Sequence, residues 1–381
     1  MFEPIASLPV SPAAAETKLQ ITGLRLGEIR QELMTLGLTE KKANYHSHQI
    51  FKWLYQRGAT SFEQMTDLSK VLRLQLAEKF AFDEMPVITE QKSTDGTRKF
   101  LFRLPDGKSI ESVLIPANDR MTICISSQVG CAMGCKFCNT ASMGLERNLK
   151  VHEIVGQVNQ LARLLAKETA LGQKHLGTSA EKITNIVFMG MGEPLHNLEN
   201  VACAIEILLS QDGLNFSKRK ITVSTSGLVP AIRKLNERLT AENKINLAIS
   251  LNGSYDEQRE AVMPVNKAFN IEALLDACRD WDLGPHRRIT FEYVVMGGVN
   301  DTLEDAARVE KLLKGIPSKV NVIPYNPHPS SPYARPTEIA VEKFHRFLMD
   351  RGVAAMIRHS RGSDILAACG QLKSRVERLV S

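Results

Sequence analysis

Between residues 122 and 325, short apolar runs alternate with stretches of helical spacing, and this alternation most constrains the fold. The runs are "TICISS" (122–127), "ITNIVFMG" (183–190), "KITVSTSG" (220–227), "INLAISL" (245–251), "ITFEYVV" (289–295) and "KVNVIPY" (319–325). They are β-branched and nearly all apolar, as strands covered on both faces must be. Amphipathic helices such as "VHEIVGQVNQLARLLAKE" and "TLEDAARVEKLLKG" fit the gaps. Six β–α repeats predict an α/β fold with a parallel sheet, open or curled into a partial (β/α)6 TIM-like barrel. A seventh short strand, "VAAMIR" (353–358), is expected to close one edge. In such folds the chemistry sits at the carboxyl ends of the strands.

The chain has 381 residues, enough for two or three domains or one enlarged domain. Residues 1–20 read as a disordered tail without the basic and apolar regions of a signal peptide. Residues 21–85 read as a small helical domain, with Asp67 a candidate N-cap for "DLSKVLRLQLAEKF". Residues 86–118, punctuated by "DGT" and "PDGK", read as a β-hairpin linker. The barrel is expected over 119–360, with a C-terminal extension over 361–381 that ends in a helix. No apolar run is long enough to predict a membrane span. The net charge of +6 permits a nucleic-acid partner without requiring one.

Charge is concentrated in "KKANYHSHQIFKWLYQR" (41–57), where Lys41, Lys42, Lys52 and Arg57 occur with no acid and with aromatic residues interleaved. The basic residues suit phosphates, whereas Ile50, Phe51, Trp53 and Leu54 have the spacing of a buried helix stripe. Lys218, Arg219, Lys220, Arg287, Arg288, Arg358 and Arg361 lie near strand ends and are further candidate phosphate ligands.

Three of the seven cysteines fall in one loop after the first strand of the repeat, "VGCAMGCKFCNT". An odd total and a reducing cytoplasm, the expected compartment, argue against a disulfide framework. Cys131, Cys135 and Cys138, spaced Cys-x3-Cys-x2-Cys, are therefore candidate metal ligands. Structural zinc wants a fourth donor, for which Cys124 or His152 would serve. A four-iron cluster on three thiolates leaves one iron open to a small molecule. Cys203 and Cys278 sit in apolar helical patterns and read as core residues.

"CAMGCKFC" resembles the cluster-binding signature of the radical S-adenosylmethionine enzymes. "MGMGEP" (189–194), "STSG" (224–227), "SLN" (250–252) and "IPYNP" (323–327), all at strand carboxyl ends, match the same superfamily. With "IESVLIP" (110–116), "CISSQVGCAMGCKFC" and "RGSDILAACGQL" (361–372), the chain resembles the RlmN-type RNA adenine-C2 methyltransferases from about residue 21 to 375.

The resemblance implies a radical S-adenosylmethionine partial barrel. It implies a 4Fe-4S cluster on Cys131, Cys135 and Cys138. It also implies cofactor contacts at Gly192, Glu193, Ser224, Ser250, Leu251, Asn252 and Asn326. Some relatives carry His where this chain has Asn252. Glu111 matches a proton acceptor, Cys369 a methyl-carrying cysteine and Cys124 its resolving partner. The implied substrates are adenosines in 23S rRNA, at the peptidyl-transferase centre, and in tRNA, 3′ of the anticodon. The resemblance also implies that two S-adenosylmethionine molecules are consumed per turnover. A one-electron donor such as flavodoxin or ferredoxin, a cytoplasmic location and a monomer complete the expectation. Two alternatives are a Cfr-type carbon-8 methyltransferase and a zinc-stabilised RNA-binding protein without catalysis.

Overall fold

The computed structural model describes residues 18–82, 85–328 and 331–372. Most of the tail, and the helix expected at the C-terminus, lie outside the described residues.

The N-terminal unit packs three helices, α1 (Leu26–Thr35), α2 (Glu40–Tyr55) and α3 (Lys70–Lys79), over a two-strand parallel ladder of β1 (Leu19–Gln20) and β2 (Phe80–Ala81). In α2 the residues Ile50, Phe51, Leu54 and Tyr55 are buried. Trp53, expected in that stripe, is only half-buried. Its indole donates to Asp67 at 2.6 Å, and Arg57 stacks 4.2 Å above its ring. Asp67 is thus engaged by α2, and the N-cap of α3 is Ser69, whose hydroxyl accepts from Leu72 N. The unit is tied to the rest of the molecule by Arg25–Glu206 (3.1 Å), His48–Asp212 (2.6 Å) and Lys52–Asp212 (3.4 Å).

Residues 87–117 carry three antiparallel strands where a hairpin is expected: β3 (Val87–Lys92), β4 (Arg98–Arg103) and β5 (Ser109–Ala117). They continue the barrel sheet directly, because β5 pairs with β6 (Arg120–Cys124). A small hairpin of β7 (Gln128–Gly130) and β8 (Leu145–Asn148) brackets the cysteine loop. Its tight closure needs Gly130, at φ +76°, since a Cβ there would meet Gly144 O.

From β6 the βα alternation runs as expected. Helix α4 (Val151–Ala170) leads to β9 (Asn185–Phe188), α5 (Leu198–Leu209) to β10 (Ile221–Thr225), and α6 (Val229–Arg238) to β11 (Asn246–Ser250). Helices α7 (Asp256–Val262) and α8 (Ile271–Arg279) lead to β12 (Ile289–Val295). Helix α9 (Leu303–Leu313) leads to β13 (Ser318–Pro324), and α10 (Glu338–Asp350) to the edge strand β14 (Ala355–Ile357). The ten strands follow the order β14-β13-β12-β11-β10-β9-β6-β5-β4-β3, with every pair from β6 to β14 parallel. Strands β14 and β3 are the free ends, so the sheet forms an unclosed barrel. A continuous apolar core fills it and extends under the N-terminal helices. Among the described residues no helix is long and apolar enough to cross a membrane.

Candidate active site

The carboxyl ends of the parallel strands surround a cavity of about 1040 Å³ lined by Cys131, Cys135, Cys138, Gly192, Glu193, Ser224, Ser250, Asn252, Asn326 and Cys369, among others. Residues nominated from six separated motifs therefore line one cavity. A second cavity of about 590 Å³ adjoins it, lined by Cys124, Ile115, Arg358, Arg361 and Ala368. Cys369 borders both, as do Asn326 and Arg358.

The cysteine loop is fixed on two sides. Lys136 N donates to Val262 O at 2.9 Å, and Asn139 N to Gly370 O at 2.7 Å. Burial pushes the Cys131 thiol up to about 12 and raises Cys135 and Cys138 as well. Buried thiols in apolar surroundings become thiolates when a metal takes the place of the proton. Among the described residues no three His, Cys, Asp or Glu side chains converge on a point that could hold one ion. The two candidates for a fourth zinc ligand are elsewhere: Cys124 lines the second cavity, and His152 packs against Gly23. A polynuclear cluster needs only that each thiolate reach its own iron, which three cysteines around a roomy cavity suit.

The remaining wall is built from strand ends. Gly192 stands at φ +98°, and a Cβ there would lie 2.5 Å from Gln128 Cβ, so only glycine brings this backbone so close to β7. Glu193 is buried. Its carboxylate accepts from Ser226 N at 2.7 Å and Leu195 N at 3.0 Å, while burial raises its pKa. Asn252 adopts φ +53°, accepts from Val294 N at 2.8 Å and donates to Met263 Sδ at 3.2 Å. Both ends of its amide thus serve the loop. Leu251 is fully buried and absent from the cavity lining; its N–H and carbonyl bond Glu292 O and Arg259 Nε. Asn326 Oδ1 accepts from Ser360 Oγ at 2.7 Å, linking the β13 end to the C-terminal loop.

That loop carries Cys369 and is held on both flanks. Asp364 accepts from Ser93 Oγ at 2.6 Å and Gly362 N donates to Asp95 at 3.0 Å, while Thr140 Oγ1 donates to Leu372 O at 2.7 Å. Cys124 is buried opposite. Burial and the neighbouring Cys369 push its thiol up to about 12, against the pull of Arg358. Glu111 lies on β5, two residues before Val113, the register partner of Cys124, and so shares that face of the sheet. It is buried, 3.3 Å from Lys99 Nζ, and lines neither cavity.

Of the seven basic residues nominated near strand ends, only Arg358 and Arg361 line these cavities. Lys218, Arg219, Lys220, Arg287 and Arg288 precede β10 and β12 and so belong to the opposite rim. Cys278 is buried as expected. Cys203 is only half-buried, with Arg238 Nη2 3.4 Å from its sulfur. Two charged residues of the site escaped the motif reading. Glu292 lines the main cavity beneath Arg358, with Nη1 to Oε2 at 3.8 Å, and Arg259 is wholly buried behind the rim. Glu292 is the one charge inside an otherwise apolar strand, a signal visible in "ITFEYVV".

Known proteins resemble this chain over most of its length. Residues 24–81 match the model of the ribosomal RNA large subunit methyltransferase N-terminal domain, and residues 125–309 that of the radical SAM superfamily. A curated relative from Geobacter sulfurreducens, named dual-specificity RNA methyltransferase RlmN, is 50% identical over 96% of this chain and 94% of its own. A second, from Myxococcus xanthus, named dual-specificity RNA methyltransferase RlmN 2, is 51% identical over 97% and 96%. A crystal structure of a radical SAM methyltransferase from Sphaerobacter thermophilus, 41% identical, superposes with a TM-score of 0.82 over 93% of this chain and 98% of that one.

Proposed function

The chain belongs to the RlmN family of radical S-adenosylmethionine RNA methyltransferases, and from that premise we propose that it methylates carbon 2 of adenosine in 23S rRNA and in tRNA. The rRNA target is at the peptidyl-transferase centre and the tRNA target is the adenosine 3′ of the anticodon. The observation that carries the reading is the position of Cys369, whose loop borders both the cavity of the three clustered cysteines and the cavity of Cys124. One thiol can thus be charged on one side and discharged on the other.

Carbon 2 of adenine is an electron-poor ring carbon without a lone pair, so a methyl cation donor cannot alkylate it directly. In the reading proposed here Cys369 first takes a methyl group from one S-adenosylmethionine, as an ordinary sulfur nucleophile. Cys131, Cys135 and Cys138 would hold a four-iron cluster that, given an electron by a small carrier such as flavodoxin or ferredoxin, would supply the one-electron reduction of a second S-adenosylmethionine that lets hydrogen be removed from the Cys369 methyl group. Glu193, Ser224, Ser250, Asn252 and Asn326 surround that molecule, with Gly192 opening backbone space for it. The methylene left on Cys369 by that hydrogen loss then forms a carbon–carbon bond to carbon 2, and the adduct gives up the ring proton and one electron, which the oxidised cluster would take back. Cys124, as thiolate, attacks the Cys369 sulfur; the sulfur–carbon bond breaks, its electron pair goes to the methylene carbon, which takes up a proton to complete the methyl group, and the two cysteines are left in a transient disulfide that a cellular dithiol reduces before the next turnover. Glu111, on the same sheet face as Cys124, is the proposed acceptor of the ring proton, with Lys99 holding its carboxylate. The target adenine must be unstacked to enter, which loop nucleotides permit at low cost. The protein acts as a monomer in the cytoplasm.

Product identity tests the reading. The reconstituted protein is incubated with S-adenosylmethionine, a reductant and either a 23S rRNA fragment or a tRNA, and the RNA is digested for nucleoside mass spectrometry. 2-Methyladenosine from both substrates is expected. 8-Methyladenosine would make the chain a carbon-8 enzyme, and no methylated adenosine would refute the proposal.

A further inference from the structure

We infer that Arg259 is the buried counter-charge of the cysteine loop, a positioning residue that makes an iron–sulfur cluster there easier to reduce. The inference rests on the reading that Cys131, Cys135 and Cys138 hold such a cluster.

Arg259 has no exposed surface. Its guanidinium donates to Leu251 O (3.0 Å), Asn266 Oδ1 (2.8 Å), Ser226 O (2.6 Å) and Ser250 O (3.2 Å). Every one of these acceptors is neutral. Among the described residues no carboxylate comes within ion-pair distance of it, although a buried cation is costly unless paired. Asp256, on the same helix, turns its Oδ1 to Asn266 Nδ2 (2.9 Å) and Ile271 N (2.8 Å) instead. Arg358, the guanidinium that lines the cavity, is only half-buried and faces a carboxylate, Glu292. Arg259 is therefore left without a contact ion pair, Asp256 acting on it only through space, and it needs a further negative neighbour.

The cysteine loop is that neighbour. One turn beyond Arg259, Val262 O accepts from Lys136 N at 2.9 Å, and Val262 and Met263 pack with Cys135 and Phe137. A Cβ on Gly134 would stand 3.7 Å from Pro264. Helix α7 and its continuation are thus the wall against which the loop lies, and the Arg259 charge acts on Cys135. Three thiolates outweigh the positive charge of an iron–sulfide core, so the loaded loop is anionic, and reduction adds another negative charge. A fixed buried cation stabilises the reduced form more than the oxidised one, because the interaction scales with the charge it faces and is little screened. The same guanidinium also clamps the Ser226 carbonyl just past β10 and the Ser250 and Leu251 carbonyls at the end of β11, beside the cofactor residues. Arg259 thus joins cluster and cofactor walls.

The test is an electron-paramagnetic-resonance redox titration of anaerobically reconstituted full-length protein without RNA, with iron and sulfide measured in each sample. Arg259→Gln should shift the midpoint potential to more negative values. Arg259→Lys, which keeps the charge and loses several hydrogen bonds, should stay near the native potential. Asp256→Asn keeps an oxygen for Asn266 and Ile271 but removes the charge opposing Arg259, so it should shift the potential positive. A fully loaded Arg259→Gln protein with native potential would overturn the inference, as would an unshifted or negatively shifted Asp256→Asn protein. If Arg259→Gln fails to fold or load, the sign of the Asp256→Asn shift decides. A native protein that binds no iron and sulfide would instead refute the cluster reading itself.

Discussion

At the scale of single residues, the site is organised by where charge is removed from water. Cys124 is buried with its thiol pushed up to about 12, so at neutral pH it is protonated. Thiolate is the attacking species in sulfur exchange. Release of RNA from Cys369 should therefore accelerate with pH, by roughly tenfold per unit while the solution stays well below the Cys124 value. The adduct formed at low pH and then jumped to higher pH, with freed RNA measured over time, would display this; a flat profile would place the rate-limiting step elsewhere. Much of this site was legible in the sequence. Most of its lining residues lie in quoted motifs, because turns at strand ends demand particular residues and leave a local signature. Arg259 was not singled out, since its meaning comes from burial that a helix pattern does not encode, whereas the lone charge of Glu292 within an apolar strand was a readable signal. Nor does the sequence reveal that the amide of Asn252 is occupied by Val294 N and Met263 Sδ.

At the scale of elements, α4 is joined to β4 by Arg98, whose two terminal nitrogens bond Glu168 at 2.7 Å each. The bonds to Arg98 hold the Glu168 carboxyl below its usual range. A carboxylate whose folded pKa is depressed stabilises the fold above its unfolded pKa, about 4.3, and loses that contribution as pH falls through the folded value. Glu168→Gln should cost roughly 2 kcal/mol at pH 7, with the gap to the native protein closing in acid. Urea unfolding at neutral pH and near pH 3 checks both; an equal gap at the two pH values would contradict the linkage. The βα elements could be read because buried parallel strands are continuous apolar runs. The linker strands β3 to β5 were harder. Only β4 alternates in exposure, as in "RKFLFR"; β3 is almost wholly exposed, β5 almost wholly buried, and β5 runs into β6 through a tight turn at Asn118 and Asp119 that no glycine marks. The cap of α3 went to Ser69 because Asp67 had a tertiary partner in Trp53.

At the scale of the molecule, an unclosed barrel presents one catalytic rim, and a basic helical unit is anchored beside it. Lys52 belongs to that anchor through Asp212, so it is unsuited to a test of RNA docking. Lys41 and Lys42 are exposed on α2. Reversing both to Glu should weaken RNA binding and lower the slope of log affinity against log salt by roughly 1 to 2, while RNA-independent cleavage of S-adenosylmethionine persists. Unchanged affinity across a salt series would refute a docking role for this face.

The central claim is the relay between Cys369 and Cys124, and the Cys124→Ala protein tests it most directly. It should still accept a methyl on Cys369 and still attack adenine, then stall for want of a second thiol. Purified under denaturing conditions, it should carry covalently bound RNA that nuclease digestion reduces to a remnant on the peptide containing Cys369. Cys369→Ala should carry none, and the double variant should behave as Cys369→Ala does, the non-additive result expected of groups acting in sequence. Normal turnover by Cys124→Ala, or RNA attached to Cys369→Ala, would contradict the relay.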